Sequence, residues 1–555
     1  MASLSMTDCT EPRYVVGVDV GTGSVRAALV TIDGELIKMA IHPIQTWNFK
    51  PGFYHQSSDD IWNSCCKVIR EVVAEVPADS VKGVGFDATC SLVALDKTGS
   101  PISISPGGET HQNVILWMDH RADKEAEAVN ATRHPVLQSV GGKISLEMQV
   151  PKLMWLKKNL PETWKNVDAF YDLPDFLTWK STGAESRSLC SVVCKWTYEA
   201  SGEGTQGWNN QFFTQVGLSD LLADDCRKIG SIVLAPGTPC GSGLNSQAAE
   251  KLGLRVGTPV ATSIIDAHAG GLGMIGCTAD SNKSTDYCSR LGLICGTSTC
   301  HMAVSRGPVF VPGVWGPYYS AMVPGLWLSE GGQSATGRLL DHIIDTHPAT
   351  ASLRARTPHM HVVTYLNKLL NSLANTAGLD SVDLLTKDLH VWPDHHGNRS
   401  PLADPTLRGM VSGLSLSCDE KDLALLYLAT VQALAYGTRH IIESLESAGH
   451  HHMDCVLLCG GLSKNPLFIQ TQATVVGRPV LVPQRTEAVL GGAAILAAYA
   501  AGLYPSLEAA VNAMAGQADA VSPNTKAITF HNKKYEVFLQ MVQHQKEYRD
   551  IMNYV

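Results

Sequence analysis

Near the N-terminus, Asp19-Val20-Gly21-Thr22-Gly23 puts a carboxylate at the end of a short apolar run and small residues in the turn that follows. Glycine has no Cβ, so the backbone N–H groups of such a turn can approach a phosphate closely, and Thr22 adds a hydroxyl donor. A carboxylate repels phosphate, so Asp19 would need Mg²⁺ or a water between the two. Taken alone, a hairpin turn in which Asp19 bonds its own backbone explains these residues better. The pattern recurs, however: Leu291-Gly292-Leu293-Ile294-Cys295 is followed by Gly296-Thr297-Ser298 and then another apolar run. Two small-residue turns on facing domains could clamp a triphosphate from both sides, and a repeat of this kind suggests a duplicated architecture.

Two further constellations carry chemistry. Gly460-Gly461, with Asn465-Pro466 close behind, forms a glycine loop between an apolar strand and a helix. There a flat ring could lie on backbone and the Asn amide could bond adenine or ribose. A tight strand-to-helix turn with Pro466 near the helix start accounts for it equally well. Asp266 ends the apolar run Ile264-Ile265 beside small residues. Desolvation raises the pKa of such a carboxylate into the range of a general base, although capping of a helix beginning at Ala267 fits the same spacing.

Other patterns carry less. Gly271-Leu272-Gly273-Met274-Ile275-Gly276 matches GxGxxG, but no strand bearing an acid follows about 20 residues on, so dinucleotide binding is disfavoured. His395-His396 and His450-His451-His452 lack acid or Cys partners at zinc spacing. There is no GxxxxGK[ST] loop.

Several elements must position these groups. The apolar runs and turns over 14–40 predict paired hairpins with Asp33-Gly34 at the second turn. Ser57 opens a helix whose Ile61, Trp62, Cys65, Val68, Ile69 and Val72 share one face. A strand through Gly83-Val84-Gly85-Phe86 ends on Asp87. The polar stretch 277–289 is the expected domain junction. Ser417 and Glu420 form a capping box before a long helix, and the tail beyond about 525 reads as a final helix. The 17 residues from Ala488 to Tyr504 are dominated by Ala and Gly, which predicts a helix packed closely on another rather than a membrane span.

With 555 residues, 45% hydrophobic and 17% charged, the chain is a globular protein of two or more domains. A net charge of −9 argues against nucleic-acid binding. Fifteen scattered cysteines without a CxxC pair read as reduced thiols, and the first twelve residues carry no apolar signal core, so the expected compartment is the cytoplasm, with no membrane association.

The runs VGVDVGTGSVRAALV, GFDATCSL, WMDHRA, IDAHAGG, CGTSTCHM and CGGLSKNPLFIQ, in this order from about Tyr14 to Gly502, resemble the FGGY carbohydrate kinases. The resemblance implies an α/β, two-domain actin/hexokinase-like (ribonuclease H-like) ATPase fold with an interdomain cleft. It implies an N-terminal domain over 12–276, a C-terminal domain over 289–505 and a helical extension over 506–555. It implies ATP and Mg²⁺ as cofactors, with Asp19, Gly21, Thr22, Gly296, Thr297 and Ser298 at the phosphates, Asp19 on the metal through water, and Gly460, Gly461 and Asn465 at adenosine. Asp266 matches the catalytic base. Ala88, Trp117, Lys195 and Glu330, with Asp266, match sugar-binding positions, and Asp87 and Asp119 lie beside them. Where glycerol kinases carry Arg-Glu, this chain reads Asp87-Ala88-Thr89, which leaves room for a longer ketose. The expected reaction is phosphorylation of a ketopentose, D-ribulose first, with L-ribulose, xylulose or ribitol, or a non-catalytic sensor of sugar or nucleotide, as alternatives. The residues leave the oligomeric state, a homodimer included, open.

Overall fold

The computed structural model of the chain describes residues 12–202, 206–279, 286–485 and 487–553. Two sheets with the same strand logic dominate it. In the first, Tyr14–Val20, Ser24–Thr31 and Leu36–Pro43 run as an antiparallel meander. Val81–Ala88 then lies parallel beside Tyr14–Val20, and Ile264–Ile265 lies parallel beside Val81–Ala88. In the second, Arg290–Cys295, Thr299–Ser305 and Trp327–Gln333 repeat the meander, with Cys455–Gly460 and Val480–Pro483 added in parallel. The internal repeat expected from the two Gly-Thr turns is therefore a repeat of topology. The expected junction at 277–289 falls in part on residues outside the described set.

Each sheet buries its own core. Ser57 caps the Ser58–Val73 helix by accepting from the Asp60 N–H at 3.4 Å, and the six apolar residues read as one face are all buried, most of them against the first sheet. The long helix Glu420–Ser447 covers the second sheet. Its cap differs from the expected capping box: Asp419, not Ser417, accepts from the Asp422 N–H at 2.9 Å. Ser417 instead accepts from the Asp419 N–H, one turn too early to reach the helix. The segment after 505 is more than a helical extension, because Ala518–Val521 adds an antiparallel edge strand to the second sheet beside Val480–Pro483. The final helix Ile528–Met552 packs Phe538 on Trp392 at 4.4 Å between ring centroids. No helix among the described residues is long and apolar enough to cross a membrane.

The Ala/Gly-rich helix Ala488–Ala500 joins the halves. It lies on the first sheet and on the helix Asp266–Ile275 at backbone contact. A Cβ on Gly85 would stand 2.0 Å from the Ala493 carbonyl, one on Gly273 2.0 Å from that of Ala488, and one on Gly492 2.0 Å from that of Ala269. The GxGxxG pattern at 271–276 is thus a helix-packing stripe, since only hydrogen fits where two backbones meet.

Candidate functional site

The first sheet brings three carboxylates to the carboxyl ends of adjacent parallel strands, the edge where open α/β sheets bind ligands. Asp19 is opposite Asp87 in register, and Asp266 follows directly on the strand that pairs with Asp87 and Ala88. Asp19 is buried and accepts from the Arg26 Nε at 2.9 Å and from a second guanidinium nitrogen. The Arg26 Nη1 reaches across to Glu487 at 2.8 Å. Asp87 is fully buried, and neither of its oxygens receives a hydrogen bond. Burial, then the charges of Asp19 and Asp266, push its pKa well above the carboxylate range. Asp266 is partly exposed at the start of its helix, where one oxygen accepts from the Ala267 N–H at 2.7 Å. Desolvation first, and the charge of Asp19 second, push its pKa up to about 7.

Among the described residues this acidic cluster is short of positive charge: Arg26 bonds Asp19 alone of the three, the Lys195 ammonium is the only cation opposing the rise at Asp266, and neither oxygen of Asp87 has a donor to accept from. An all-oxygen donor set of this kind fits a hard divalent cation such as Mg²⁺.

The two Gly-Thr turns have matching construction. The Gly21 N–H closes its turn on the Ser24 carbonyl at 3.0 Å, and the Gly296 N–H closes the second on the Ser298 carbonyl at 2.8 Å. Among the described residues the N–H groups of Thr22, Gly23, Thr297 and Ser298 find no acceptor, which leaves each turn with donors to offer an anion. The second turn is braced from behind, where the Thr336 and Arg338 N–H groups donate to the Thr297 carbonyl at 2.9 and 3.3 Å. Cys295 pairs with Gly460, so the second turn and the Gly460-Gly461 loop share one sheet edge. Gly460 has φ 89°, and a Cβ there would meet the Cys295 carbonyl at 2.3 Å, so this position requires glycine.

Asn465 holds this loop. Its Oδ1 caps the Pro466–Val476 helix at the Leu467 N–H and accepts from Asn367 at 2.9 Å, while its Nδ2 donates to the Tyr427 hydroxyl at 2.8 Å. One N–H of the Asn465 amide remains without an acceptor among the described residues, so the side chain both holds this loop and keeps a donor to offer. Asn367, whose own Oδ1 is buried without a partner, sits beside it.

Two of the residues expected at the sugar, Lys195 and Glu330, come together around Trp315 and Arg399. The Lys195 ammonium lies 4.4 Å from the ring centroid of Trp315, and the Arg399 guanidinium 4.0 Å from the same ring. Arg399 also pairs with Glu330. Burial alone would raise the pKa of Glu330, but Lys195 and Arg399 outweigh it and push it down to about 2. The second oxygen of Glu330 is buried without a hydrogen bond and lies 3.7 Å from His268 Nε2. Burial pushes the pKa of Lys195 down, and neighbouring Cys90, Glu330 and Glu147 outweigh it, so the ammonium is held charged. No hydrogen-bond acceptor among the described residues takes its protons. Ala88 is fully buried at its strand end, and Trp117 donates its indole N–H to the Thr22 hydroxyl at 3.0 Å.

Asp119 does not join this group. Its carboxylate is filled by Arg121 at 2.8 and 2.7 Å and by the Tyr54 and Arg121 backbone N–H groups, with both side chains fully buried. Sequence reading missed Arg399, Glu147, Trp315 and Arg26. Arg26 lies within the first quoted run, VGVDVGTGSVRAALV, but Arg399, Glu147 and Trp315 lie in no quoted motif. Cys190, Cys194 and His268 place their ligand atoms within 4.8 Å of one another. A thiol–imidazole hydrogen bond of 3.4 Å between Cys194 and His268 accounts for that contact, and burial keeps His268 neutral, with its pKa lowered to about 4.

The models of the FGGY family of carbohydrate kinases match residues 14–273 for the N-terminal domain and 291–501 for the C-terminal domain. The chain belongs to the FGGY family of carbohydrate kinases. It is 52% identical over 548 residues to the human FGGY carbohydrate kinase domain-containing protein, covering 98% of each chain. It is 41% identical over 517 residues to a D-ribulokinase of Saccharomyces cerevisiae, covering 88% of this chain and 72% of the relative. The xylulose kinase structure from Rhodospirillum rubrum superposes with a TM-score of 0.76 at 20% identity, over 97% of this chain and 99% of that one, and so shares the fold. As an FGGY enzyme the protein is a carbohydrate kinase, with the two-domain α/β architecture of that family.

Proposed function

We propose that the protein transfers the γ-phosphoryl group of ATP to the terminal hydroxyl of a ketopentose, D-ribulose first, giving the 5-phosphate. The observation that carries this reading is a carboxylate with its pKa pushed up to about 7, at the same sheet edge as Asp19 and within electrostatic reach of Lys195 and Glu330. The 41% identity to a D-ribulokinase favours ribulose over the alternatives. Mg²⁺ held at Asp19 through water, beside Asp87, would offset charge on the phosphates.

The residues divide the work. Asp266 takes the proton from the attacking hydroxyl, since a base with a pKa near the working pH balances ionised fraction against driving force. The free N–H groups at Thr22, Gly23, Thr297 and Ser298 bond phosphate oxygens in both turns, and such fixed dipoles carry most of the catalysis in phosphoryl transfer. Gly460 and Gly461 offer backbone to the adenosine, with Asn465 holding their loop. Lys195 donates to the sugar, the free oxygen of Glu330 accepts from a hydroxyl, and the small side chain of Ala88 leaves room for the ketose chain. The reading is tested by comparing kcat/KM across D-ribulose, L-ribulose, the xyluloses and pentitols in a coupled ADP-release assay. A clear maximum at D-ribulose is expected. A maximum at xylulose or a pentitol replaces the substrate, and no sugar-dependent ADP release with any of them removes the catalytic reading.

A further inference from the structure

The 3.0 Å bond from the Trp117 indole to the Thr22 hydroxyl links a sugar position to a phosphate position. The ring is set from its own backbone: the Trp117 N–H donates to Ser91 Oγ at 3.3 Å, and its carbonyl accepts from Lys152 Nζ at 3.3 Å. Thr22 is set from the other side, where its carbonyl accepts from Gln56 Nε2 at 2.7 Å and Gln56 itself is buried. A threonine hydroxyl has one proton and two lone pairs. With one lone pair taken by the indole, the proton points away from the ring, and no acceptor among the described residues takes it. Accepting a hydrogen bond also makes a hydroxyl a stronger donor. The Thr22 hydroxyl is thus prepared to donate outward, beside the free N–H groups of Thr22 and Gly23.

We propose that Trp117 is a positioning residue for phosphoryl transfer: its indole N–H aims the Thr22 hydroxyl at a phosphate oxygen, so the surface that meets the sugar also sets the first phosphate turn. This rests on the kinase reading above. It assigns the indole nitrogen a task separate from the ring face, which remains for the sugar. Because a sugar pressed on the ring shifts the donor, sugar occupancy and phosphate alignment become coupled without any contact between sugar and Thr22.

The test is a double-mutant cycle. Trp117→Phe keeps an aromatic face and removes the N–H. It is expected to lower kcat about tenfold while KM for the sugar changes less than about threefold. In a Thr22→Ser background, which keeps the hydroxyl, the same fall is expected; in a Thr22→Ala background, Trp117→Phe is expected to have no further effect on kcat. A rise in sugar KM with kcat unchanged, or additive falls for Trp117→Phe and Thr22→Ala, would overturn the proposal. Affinity for Mg²⁺-ATP without sugar, measured by calorimetry on the same variants, keeps the test independent of the substrate assignment. Trp117→Phe should weaken it in the wild type and the Ser background, not in the Ala background, and equal weakening in all three would also overturn the proposal.

Discussion

If Asp266 is the base, its ionisation must be visible in the rate. Its pKa is pushed up to about 7, by desolvation and then by Asp19. Only the ionised form accepts a proton, so activity is lost on the acid side and gained as pH rises. With a pKa of about 7 the ionised fraction is about 9% at pH 6 and about 91% at pH 8, so kcat/KM should climb about tenfold over that interval, approaching unit slope below about pH 6 and levelling off above about pH 8. An aspartate at its ordinary value of about 3.9 would already be ionised at pH 6 and would give a flat line. The assay is coupled ADP release from about pH 5.5 to about pH 8.5 at constant ionic strength, with sugar well below KM and coupling enzymes in excess. Because the Asp19 charge contributes to the shift, raising Mg²⁺ from subsaturating to saturating should move the limb to lower pH. Asp266→Asn should lose about 10²–10⁴ in kcat and abolish the limb. A flat profile in the wild type, or an unchanged limb in Asp266→Asn, would refute this reasoning.

Two further outcomes follow from the charged groups. Arg399→Met leaves Glu330 buried with Lys195 as its remaining close cation, and losing one partner of a buried ion pair costs about 3–5 kcal/mol. Sugar KM should rise and the thermal unfolding temperature fall; Arg399→Lys should recover the temperature only in part, because an ammonium lacks the guanidinium fork. A variant with wild-type KM and stability would show that Arg399 does not hold Glu330. Stability should also vary with pH. Burial pushes the pKa of Asp172 up to about 6, and those of Asp175 and Asp266 up to about 7. Stabilisation from a raised carboxylate is full below its unfolded value of about 4 and is lost as pH rises through the folded value. Glu330 has the opposite sign, with stabilisation present above about 4.3 and lost towards pH 2. Buried histidines such as His268, its pKa lowered to about 4, contribute stability that grows until about pH 6.5. Calorimetry without Mg²⁺ or nucleotide should therefore find the unfolding temperature falling only above about pH 6.5, and a rise between about pH 6.5 and about pH 8 would count against the buried acids.

What the sequence revealed and what it withheld divide along physical lines. The local setting of Asp19, Thr22 and Asp266 was legible because neighbouring residues define it: each lies in a turn or at a strand end. The face of the Ser58–Val73 helix was legible because burial imposes its period. Arg399 was not, since its role comes from a loop that crosses to Glu330, 69 residues earlier in the chain. The surroundings of Asn465 were not legible for the same reason: its side-chain partners Tyr427 and Asn367 are distant in sequence. The edge strand Ala518–Val521 was read as part of a helical tail because its four residues gain their pairing from Val480–Pro483.

The seam along Ala488–Ala500 has a mechanical consequence. Backbone meets backbone there at Gly85, Gly273 and Gly492, with no layer of side chains to act as a cushion. This seam lies directly behind the helix that carries Asp266. Both turns stand close to its N-terminal end: a Cβ on Gly270 would meet both Ile294, two residues before the second turn, and Val489, while Glu487, one residue before the seam, bonds Arg26 and through it Asp19. A shift of the helix along its own axis would therefore be felt at both turns at once.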